Sequence, residues 1–406
     1  MDQEKKTFPR DLLSRSKQER FNYFKNKVLG HDRLLNVHDQ LMRALLYPTG
    51  DSLILVYGPT GVGKTTLRTR IEQALLKLEM EAMLKDPGYL PYVSMEAIAA
   101  SRSYDWREHL IRVLITANEP LINNKINPEV RKQSQGKDLT RKINDTELVL
   151  RRSVESCLHQ RRTKFVIVDE AQHLKRVGRE RNFRDQMNTI KSLAETTGAI
   201  HVLIGTYELL ELAGLSAQLC RRSTNIHFSR YSNHDDDDQI AFASMLKSFQ
   251  LHLPLAQTPD LLSYEDHLYE KTFGCIGVLK TLLNDALSMA LSSKDEIITE
   301  EMLENSAPPL RDLVQMSDEI AEGEMVLTGT DEQLVKLRTF LKTAPRSTSK
   351  SKTKESETSV EAQTDTPGEQ KRGDARPESE KSTALKPKKD RRPGERLPKR
   401  DPIRRR

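Results

Sequence analysis

One segment of the sequence has the composition of a phosphate-binding loop. The run Gly58–Thr66 matches the pattern G-x-x-x-x-G-K-[ST], and it stands between a predicted strand and a predicted helix. Glycines allow backbone N–H groups to surround phosphates at the positive end of a helix dipole. We expect Lys64 to bridge the β- and γ-phosphates of a nucleotide, and Thr65 to hold Mg²⁺. The predicted cofactor-binding residues of this run are Gly58, Pro59, Thr60, Gly61, Val62, Gly63, Lys64, Thr65 and Thr66.

Two adjacent carboxylates end the apolar run Phe165–Glu170. We expect Asp169 to orient Mg²⁺ through water and Glu170 to polarise the attacking water, which favours hydrolysis over transfer of the phosphoryl group to another substrate. GTP-binding proteins normally carry an N-K-x-D motif that binds guanine. The nearest string here, Asn124–Asn127, lacks the aspartate, so ATP is the expected nucleotide.

Three further polar residues follow in positions that could serve catalysis. Thr206 ends the apolar run Leu203–Thr206, where it is expected to sense the γ-phosphate or position the water; capping of the next helix is the alternative. Arg221 and Arg222 precede the last predicted strand. In ring and filament ATPases this location projects an arginine at the neighbouring subunit's phosphate, where it offsets developing charge. A surface pair that binds water or a carboxylate is the alternative.

The elements that must position these residues alternate between strand and helix patterns. Strands are predicted at Ser52–Gly58 and Phe165–Glu170 and in the runs PYVSME, AIHVLIG and TNIHFS. Helices are predicted from Lys64 to about Met80, at Trp106–Ala117, Asp145–Gln160 and Asn182–Thr196, and from Tyr207 onward, with a polar insertion or mobile loop at Asn123–Lys142. This alternation favours an α/β fold whose parallel sheet is covered by helices. An extra strand between the two nucleotide motifs is the arrangement of ASCE P-loop NTPases.

Changes in composition predict five regions along the chain. The last region has no Phe, Tyr or Trp, and it carries 19 Lys and Arg against 11 Asp and Glu, so we expect it to be disordered. It could contact phosphates or an acidic partner, or serve only to keep the chain soluble. The predicted regions are an N-terminal extension (1–27), an α/β nucleotide-binding domain (28–234), a helical lid (235–309), a short helical or linker region (310–343) and a disordered basic tail (344–406).

Cysteine usage and hydropathy indicate the compartment. Cys157, Cys220 and Cys275 stand far apart and form no C-x-x-C pair, as is typical of a reducing cytoplasm. The N-terminal segment is charged and has no apolar core, and no apolar run approaches the length that spans a bilayer. We therefore expect a soluble cytoplasmic protein without a membrane partner.

Several longer segments resemble the TniB/TnsC family of AAA+ transposition regulators, with MuB as a more distant relative. The likeness extends over about Arg20–Glu304 and is carried by Val28–Leu41, Val168–Leu174, Leu203–Leu209, Gln218–Ser223, Phe242–Leu255 and Phe273–Leu287. The resemblance implies an AAA+ fold with a small C-terminal helical lid, and an ATPase of the bacterial cytoplasm. It also implies ATP-dependent homo-oligomers, either rings or helical filaments, on duplex DNA. Such oligomers recruit a transposase, respond to a TniQ/TnsD-like target selector and disassemble on hydrolysis.

The resemblance also extends to individual residues. Val28 and Leu29 open the segment that packs on adenine in AAA+ proteins. Many AAA+ lids carry an arginine in a G-x-P-R helix start, but the comparable string here is Gly274–Gly277. Lys280 is the one substitute on the same helix, so hydrolysis is expected to be slow or partner-dependent.

Basic residues near two strand ends are the candidate DNA contacts. Arg102, Lys175 and Arg176 lie where pore-facing loops occur in this class, and their contacts to the DNA backbone would be sequence-tolerant. A solvated helix face is the alternative for each of them. Other AAA+ machines remain open at this point, namely a helicase loader, an initiator-like protein or a secretion-type ATPase. A scaffold that binds nucleotide without turnover is the third class.

Overall fold

Five short parallel strands form a sheet in the order β2-β3-β4-β1-β5. The strands are β1 (Leu53–Tyr57), β2 (Tyr92–Glu96), β3 (Phe165–Asp169), β4 (Ile200–Gly205) and β5 (Ser223–His227). Because β4 pairs with both β1 and β3, it separates the two strands that lead into the nucleotide motifs. The ASCE-type arrangement predicted from the sequence is therefore confirmed.

The computed structural model describes most of the chain up to residue 340. The described residues are 7–50, 52–98, 105–122, 138–175, 180–210, 223–328, 335–336 and 338–340, with the backbone alone at 138–146, 175 and 180–187. They belong to one unit, Met1–Ala344. The basic tail predicted for residues 344–406 lies outside the described residues.

Eleven helices in the described part of the chain surround the sheet or extend beyond it. They are α1 (Lys17–Asn26), α2 (Asp32–Leu46), α3 (Lys64–Lys85), α4 (Trp106–Thr116), α5 (Asp138–Gln160), α6 (Glu180–Thr197), α7 (Asp236–His252), α8 (Glu265–Thr272), α9 (Ile276–Ser292), α10 (Glu300–Asn305) and α11 (Leu310–Thr328). Short 3-10 helices lie at Arg10–Ser14, Ala171–Lys175 and Leu262–Tyr264.

Both faces of the sheet are buried, as a parallel sheet requires. In β1, Leu53 and Leu55 belong to the cluster that includes apolar residues of α4, α5 and α6. The alternate residues Ile54 and Val56 belong to the cluster formed with α2 and α3. This alternation follows from the two-residue repeat of a strand and confirms the predicted covering of the sheet by helices.

A third apolar cluster holds the helices that follow the sheet. It is built mainly from α7, α8 and α9, and residues 235–309 are helical apart from their connections, as the sequence pattern predicted. The N-terminal helix α1 joins this cluster through Phe24, which is fully buried. Arg20 fixes the same helix, because its guanidinium donates to the Pro254 carbonyl and pairs with Glu296. The N-terminal segment therefore packs into the core of the lid.

Several predicted element bounds are wrong. Helix α3 continues past Met80 to Lys85, because strong helix formers fill the sequence up to the Asp86-Pro87-Gly88 turn. Helix α5 begins at Asp138, so residues 138–142, predicted in the polar insertion, are helical. Tyr207, the predicted first residue of a helix, lies in a turn, and residues 209–210 are helical. The remaining residues of the predicted insertion, 123–137, and the residues 211–222 that continue the helix predicted from Tyr207 lie outside the described residues.

The described helices can be tested for the length and apolarity that a membrane span requires. Within the described residues no individual helix has the length and apolarity to cross a membrane. The segments Leu262–Thr272 and Ile276–Ser292 reach those limits only when taken together, and they are bent by 117°.

Candidate nucleotide-binding site

The phosphate loop connects β1 to α3 in a conformation that requires its glycines. Gly61 and Gly63 have φ angles of 77° and 115°, in the left-handed region that side chains disfavour. At Gly58 a Cβ atom would lie 2.1 Å from the backbone oxygen of Phe228, the residue after β5. The loop is thus held against the neighbouring strand end, with Gly63 as the N-cap of α3.

Lys64 is the first residue of α3, and it is only 7% exposed. Its ammonium donates to the Gly58 and Pro59 carbonyls at 2.9 and 2.8 Å. Burial lowers the pKa of Lys64, whereas nearby acids, Glu319 first and then Glu170, favour the charged form. The ammonium is therefore held at the loop itself, where an incoming phosphate can replace the carbonyls as its partner.

The residues expected to hold Mg²⁺ lie together. Asp169 ends β3 and is only 1% exposed, and the Thr65 side chain lies near enough to its carboxylate to favour the charged form. Arg68 reaches the same carboxylate, with 3.3 Å between Nη1 and Oδ2. Burial raises the pKa of Asp169, because the charged form is poorly solvated. The described residues hold no cluster of three metal-binding side chains. One carboxylate and a hydroxyl suit Mg²⁺ bound mainly through phosphates and water.

The side-chain amide of Gln172 links Glu170 to Thr206, the two residues that are expected to act on the attacking water. The Gln172 side chain donates from Nε2 to Glu170 Oε2 at 2.6 Å, and its Oε1 accepts from the Thr206 backbone N–H at 3.2 Å. Glu170 has a φ of 52°, which is unusual for a residue with a side chain, and such strain is concentrated at functional sites. The Thr206 hydroxyl is buried and has no partner among the described residues, so it is available to a ligand.

Sequence reasoning missed Gln172, although it stands two residues after Glu170. Gly205 explains how closely it approaches β4, since a Cβ atom there would lie 2.5 Å from Gln172 Oε1. Its contact with Thr206 joins residues 34 positions apart, and no local pattern reveals such a pairing. The only available signal was its nearness in sequence to the two carboxylates, with one residue between it and Glu170.

The residues expected near adenine lie beside the lid. Val28 is 52% exposed, and Leu29 packs against the lid cluster. His31 caps α2, stacks on Phe228 with 6.2 Å between ring centroids, and contacts the Tyr231 hydroxyl at 3.1 Å. Burial and, secondarily, the charge of Arg70 lower the pKa of His31 to about 4, so this imidazole is neutral at pH 7.

The lid helix α9 meets the phosphate loop directly. The Gly277 N–H donates to the Gly61 carbonyl at 2.7 Å, and a Cβ atom at Gly277 would lie 2.4 Å from that oxygen. Lys280, the substitute considered for the absent sensor arginine, donates to the Phe24 carbonyl, and its Nζ lies 3.3 Å from the centre of the Phe24 ring. The structure therefore places this ammonium against α1.

The remaining predicted site residues have other placements. Thr66 lies in the first turn of α3, and Val62 is buried in the cluster beneath the loop. Lys175 ends the 3-10 helix that follows Glu170, but its side chain is not described. Arg221, Arg222, Arg102 and Arg176 lie outside the described residues.

Part of the chain matches a known protein family. A family model described as an AAA domain matches residues 48–213, which include the phosphate loop, both carboxylates and Thr206. With the five-stranded parallel sheet and its flanking helices, this match identifies an AAA+ α/β fold. No curated protein matches the chain.

Several solved structures have a weaker likeness. The ORC2 protein of Aeropyrum pernix in its ADP form is 16% identical, with 71% of each chain covered and a TM-score of 0.46. The ORC1 protein of Aeropyrum pernix in complex with DNA is 17% identical, with 72% of this chain and 68% of that chain covered and a TM-score of 0.45. Domain III of the Thermotoga maritima replication initiation protein DnaA is 12% identical, with 73% and 96% covered and a TM-score of 0.36. Identities and TM-scores this low do not indicate function.

Proposed function

We propose that this chain is an ATP-hydrolysing AAA+ switch that assembles on duplex DNA and regulates transposition. The observation that carries the ATPase part is the convergence of Lys64, the Thr65–Asp169 pair and the unpartnered Thr206 hydroxyl. They meet at one edge of the sheet because β1, β3 and β4 are parallel neighbours whose carboxyl ends lie together.

Each group has a distinct task in this proposal. The loop N–H groups and Lys64 would bind the triphosphate, and Thr65 and Asp169 would hold Mg²⁺, which would supply positive charge to the phosphates. Glu170, oriented by Gln172, polarises the attacking water. The Thr206 hydroxyl donates to the γ-phosphate or to that water. Phe228 lies against the loop and stacks on His31, and Val28 and Leu29 would meet adenine.

The second part of the proposal concerns neighbouring subunits. Arg221 or Arg222 would reach the phosphates bound by an adjacent copy, so that ATP joins subunits and its hydrolysis releases them. Replacing both arginines with Ala should then leave ATP binding intact while hydrolysis and assembly are lost. Hydrolysis that is unchanged in this variant would remove the arginines from the mechanism.

The third part of the proposal concerns DNA and protein partners. Arg102, Lys175 and Arg176 would contact the phosphate backbone of DNA within the oligomer, in the bacterial cytoplasm. The transposase and a TniQ/TnsD-like target selector would bind the assembled form. This part rests on the sequence resemblance, which includes the paired arginines and the segment Phe242–Leu255.

Electron microscopy of the full chain with duplex DNA tests the proposal. The protein would be mixed with random-sequence duplexes and with a slowly hydrolysed ATP analogue or ADP. We expect rings or filaments on any duplex with the analogue, and their loss with ADP. Binding confined to particular sequences would favour the initiator-like alternative. An absence of DNA-bound assemblies, together with phosphate release that DNA does not stimulate, would contradict both readings.

A further inference from the structure

The helix that follows the lid lies on the phosphate loop. Glu319 of α11 accepts two hydrogen bonds from Thr60, from the backbone N–H at 3.1 Å and from the hydroxyl at 2.8 Å. These two residues are 259 positions apart in the chain. Thr60 belongs to the G-x-x-x-x-G-K-[ST] loop, whose N–H groups are the donors that cradle nucleotide phosphates. A carboxylate oxygen of the chain itself therefore occupies donors of the phosphate-binding loop.

A second carboxylate of α11 holds a partly buried cation, the guanidinium of Arg230. Glu324 receives two hydrogen bonds from the Arg230 guanidinium, at 2.8 and 3.1 Å. Arg230 follows β5 and also donates to the Tyr269 hydroxyl at 2.9 Å. A two-point arginine–carboxylate contact has the geometry that an arginine also uses to bind phosphate. Glu319 and Glu324 belong to the same helix, so both carboxylates reach these contacts from α11.

The helix is packed closely between these two contacts. Gly323 lies against the ring of Tyr207, the residue after Thr206, and a Cβ atom at Gly323 would lie 2.2 Å from that ring. Ile320 and Gly323 are the buried residues of α11, so the same side of the helix carries the apolar and the acidic contacts. A solvated surface helix has no need for a glycine at such a position. Helix α11 therefore packs closely against Tyr207, in a contact that a larger residue at position 323 would disturb.

The charge at the loop is consistent with this placement. Among the acidic groups that favour the charged form of Lys64, Glu319 has the largest effect, ahead of Glu170 and Asp169. The pKa of the Cys275 thiol, raised to about 12 by burial, is also affected by Arg230, Lys64, Glu319 and Glu324. These four charged groups thus lie within electrostatic reach of one buried side chain.

We propose that the acidic face of α11, which carries Glu319 and Glu324, docks on the phosphate loop. Glu319 then occupies the position of the terminal phosphate of ATP, so ATP and α11 cannot bind to the loop at the same time. The inference rests on the proposed function and adds a regulator of the same site. ATP binding then requires α11 to leave, which frees Arg230 to contact phosphate in place of Glu324. The apparent affinity for ATP is reduced by the fraction of molecules in which α11 is docked.

Two substitutions remove the docking by different means. Glu319→Gln keeps the shape of the side chain but removes the charge that Thr60 and Lys64 face. Gly323→Ala adds a methyl group against Tyr207 and at the same time favours the helical state of α11. Glu322→Gln is the matched control, because Glu322 is exposed on the same helix. The variants therefore separate charge at the site from the total charge of α11.

The experiment measures binding of a slowly hydrolysed ATP analogue with Mg²⁺ to the full chain by calorimetry. We expect Glu319→Gln and Gly323→Ala to bind roughly threefold to tenfold more tightly than the original chain, as for loss of a partly exposed charged contact. The control should stay within about twofold. Hydrogen exchange of the α11 amides should rise in Glu319→Gln without nucleotide, and in the original chain when the analogue is added.

The outcomes distinguish the two proposals. Tight binding by the original chain with equal or weaker binding by both variants would overturn the docking proposal and leave the ATPase proposal intact. Binding by the variants alone would support both. An absence of binding in every variant, Gly323→Ala included, would contradict the proposed function and with it the competition.

Discussion

Replacement of Gln172 tests whether its side-chain amide, which links Glu170 to Thr206, positions Glu170 for its proposed role in polarising the attacking water. The change Gln172→Leu removes both hydrogen bonds and leaves an apolar side chain that is one atom shorter. The 2.6 Å contact to Glu170 is a hydrogen bond to a carboxylate, a class that contributes about 1.5–3 kcal/mol. If about 1–2 kcal/mol of this serves to orient the carboxylate, kcat should fall roughly fivefold to thirtyfold. Stability should fall by about 1 kcal/mol, because the Thr206 N–H loses its acceptor.

The assay is steady-state phosphate release, with nucleotide affinity measured separately. We expect the fall in kcat with an unchanged affinity for the ATP analogue, since Gln172 contacts neither the loop nor Lys64 in the described structure. Gln250→Leu is the matched control, because its Oε1 likewise accepts a backbone N–H, that of Leu261, within the lid. A normal kcat in Gln172→Leu, or an equal fall in the control, would refute the positioning role.

Three further predictions concern the loop, the lid and the core. Gly58→Ala should weaken nucleotide binding at least tenfold, because the methyl group meets the Phe228 backbone at 2.1 Å and must displace the loop; unaltered calorimetric affinity would contradict this. Lys280→Met should leave affinity within about twofold in the same titration, since the ammonium binds Phe24, and a large loss would restore Lys280 as a sensor. Burial lowers the pKa of His201 from 6.5 to about 4, so the unfolded chain binds more protons than the folded chain between these values. Stability should therefore fall as pH drops through this window, by on the order of 3 kcal/mol from this residue. Urea unfolding of His201→Gln should have a flatter pH dependence, and an unchanged slope would refute the assignment.

The predictable part of the site is the part whose residues are local in sequence. The phosphate loop requires glycines, a lysine and a hydroxyl within nine consecutive positions, and backbone sterics fix their spacing. Asp169 was equally predictable, because a buried strand leaves a mark in the sequence as a continuous apolar run. The helix-covered parallel sheet followed from the alternation of such runs with helical patterns, whereas the AAA+ class was implied by the resemblance to the TniB/TnsC family.

The contacts that were not predicted join distant parts of the chain. Glu319 meets Thr60 across 259 positions, and nothing in the local sequence of α11 distinguishes this carboxylate from Asp318 or Glu322. The packing of Phe24 into the lid is of the same kind, since α1 is a polar helix in which Phe24 is the one buried apolar side chain. Tertiary packing decides such partners, whereas periodicity fixes only the face of a helix.

Replacement of Lys64 is the most direct test of the central claim, which is that this loop holds the phosphates of ATP. Calorimetry with the Mg²⁺ complex of a slowly hydrolysed ATP analogue would compare the original chain with Lys64→Ala, and thermal unfolding would verify that both are folded. The loss of a charged donor to phosphate should weaken binding roughly tenfold to a hundredfold. Equal affinity in the two folded proteins would contradict the account.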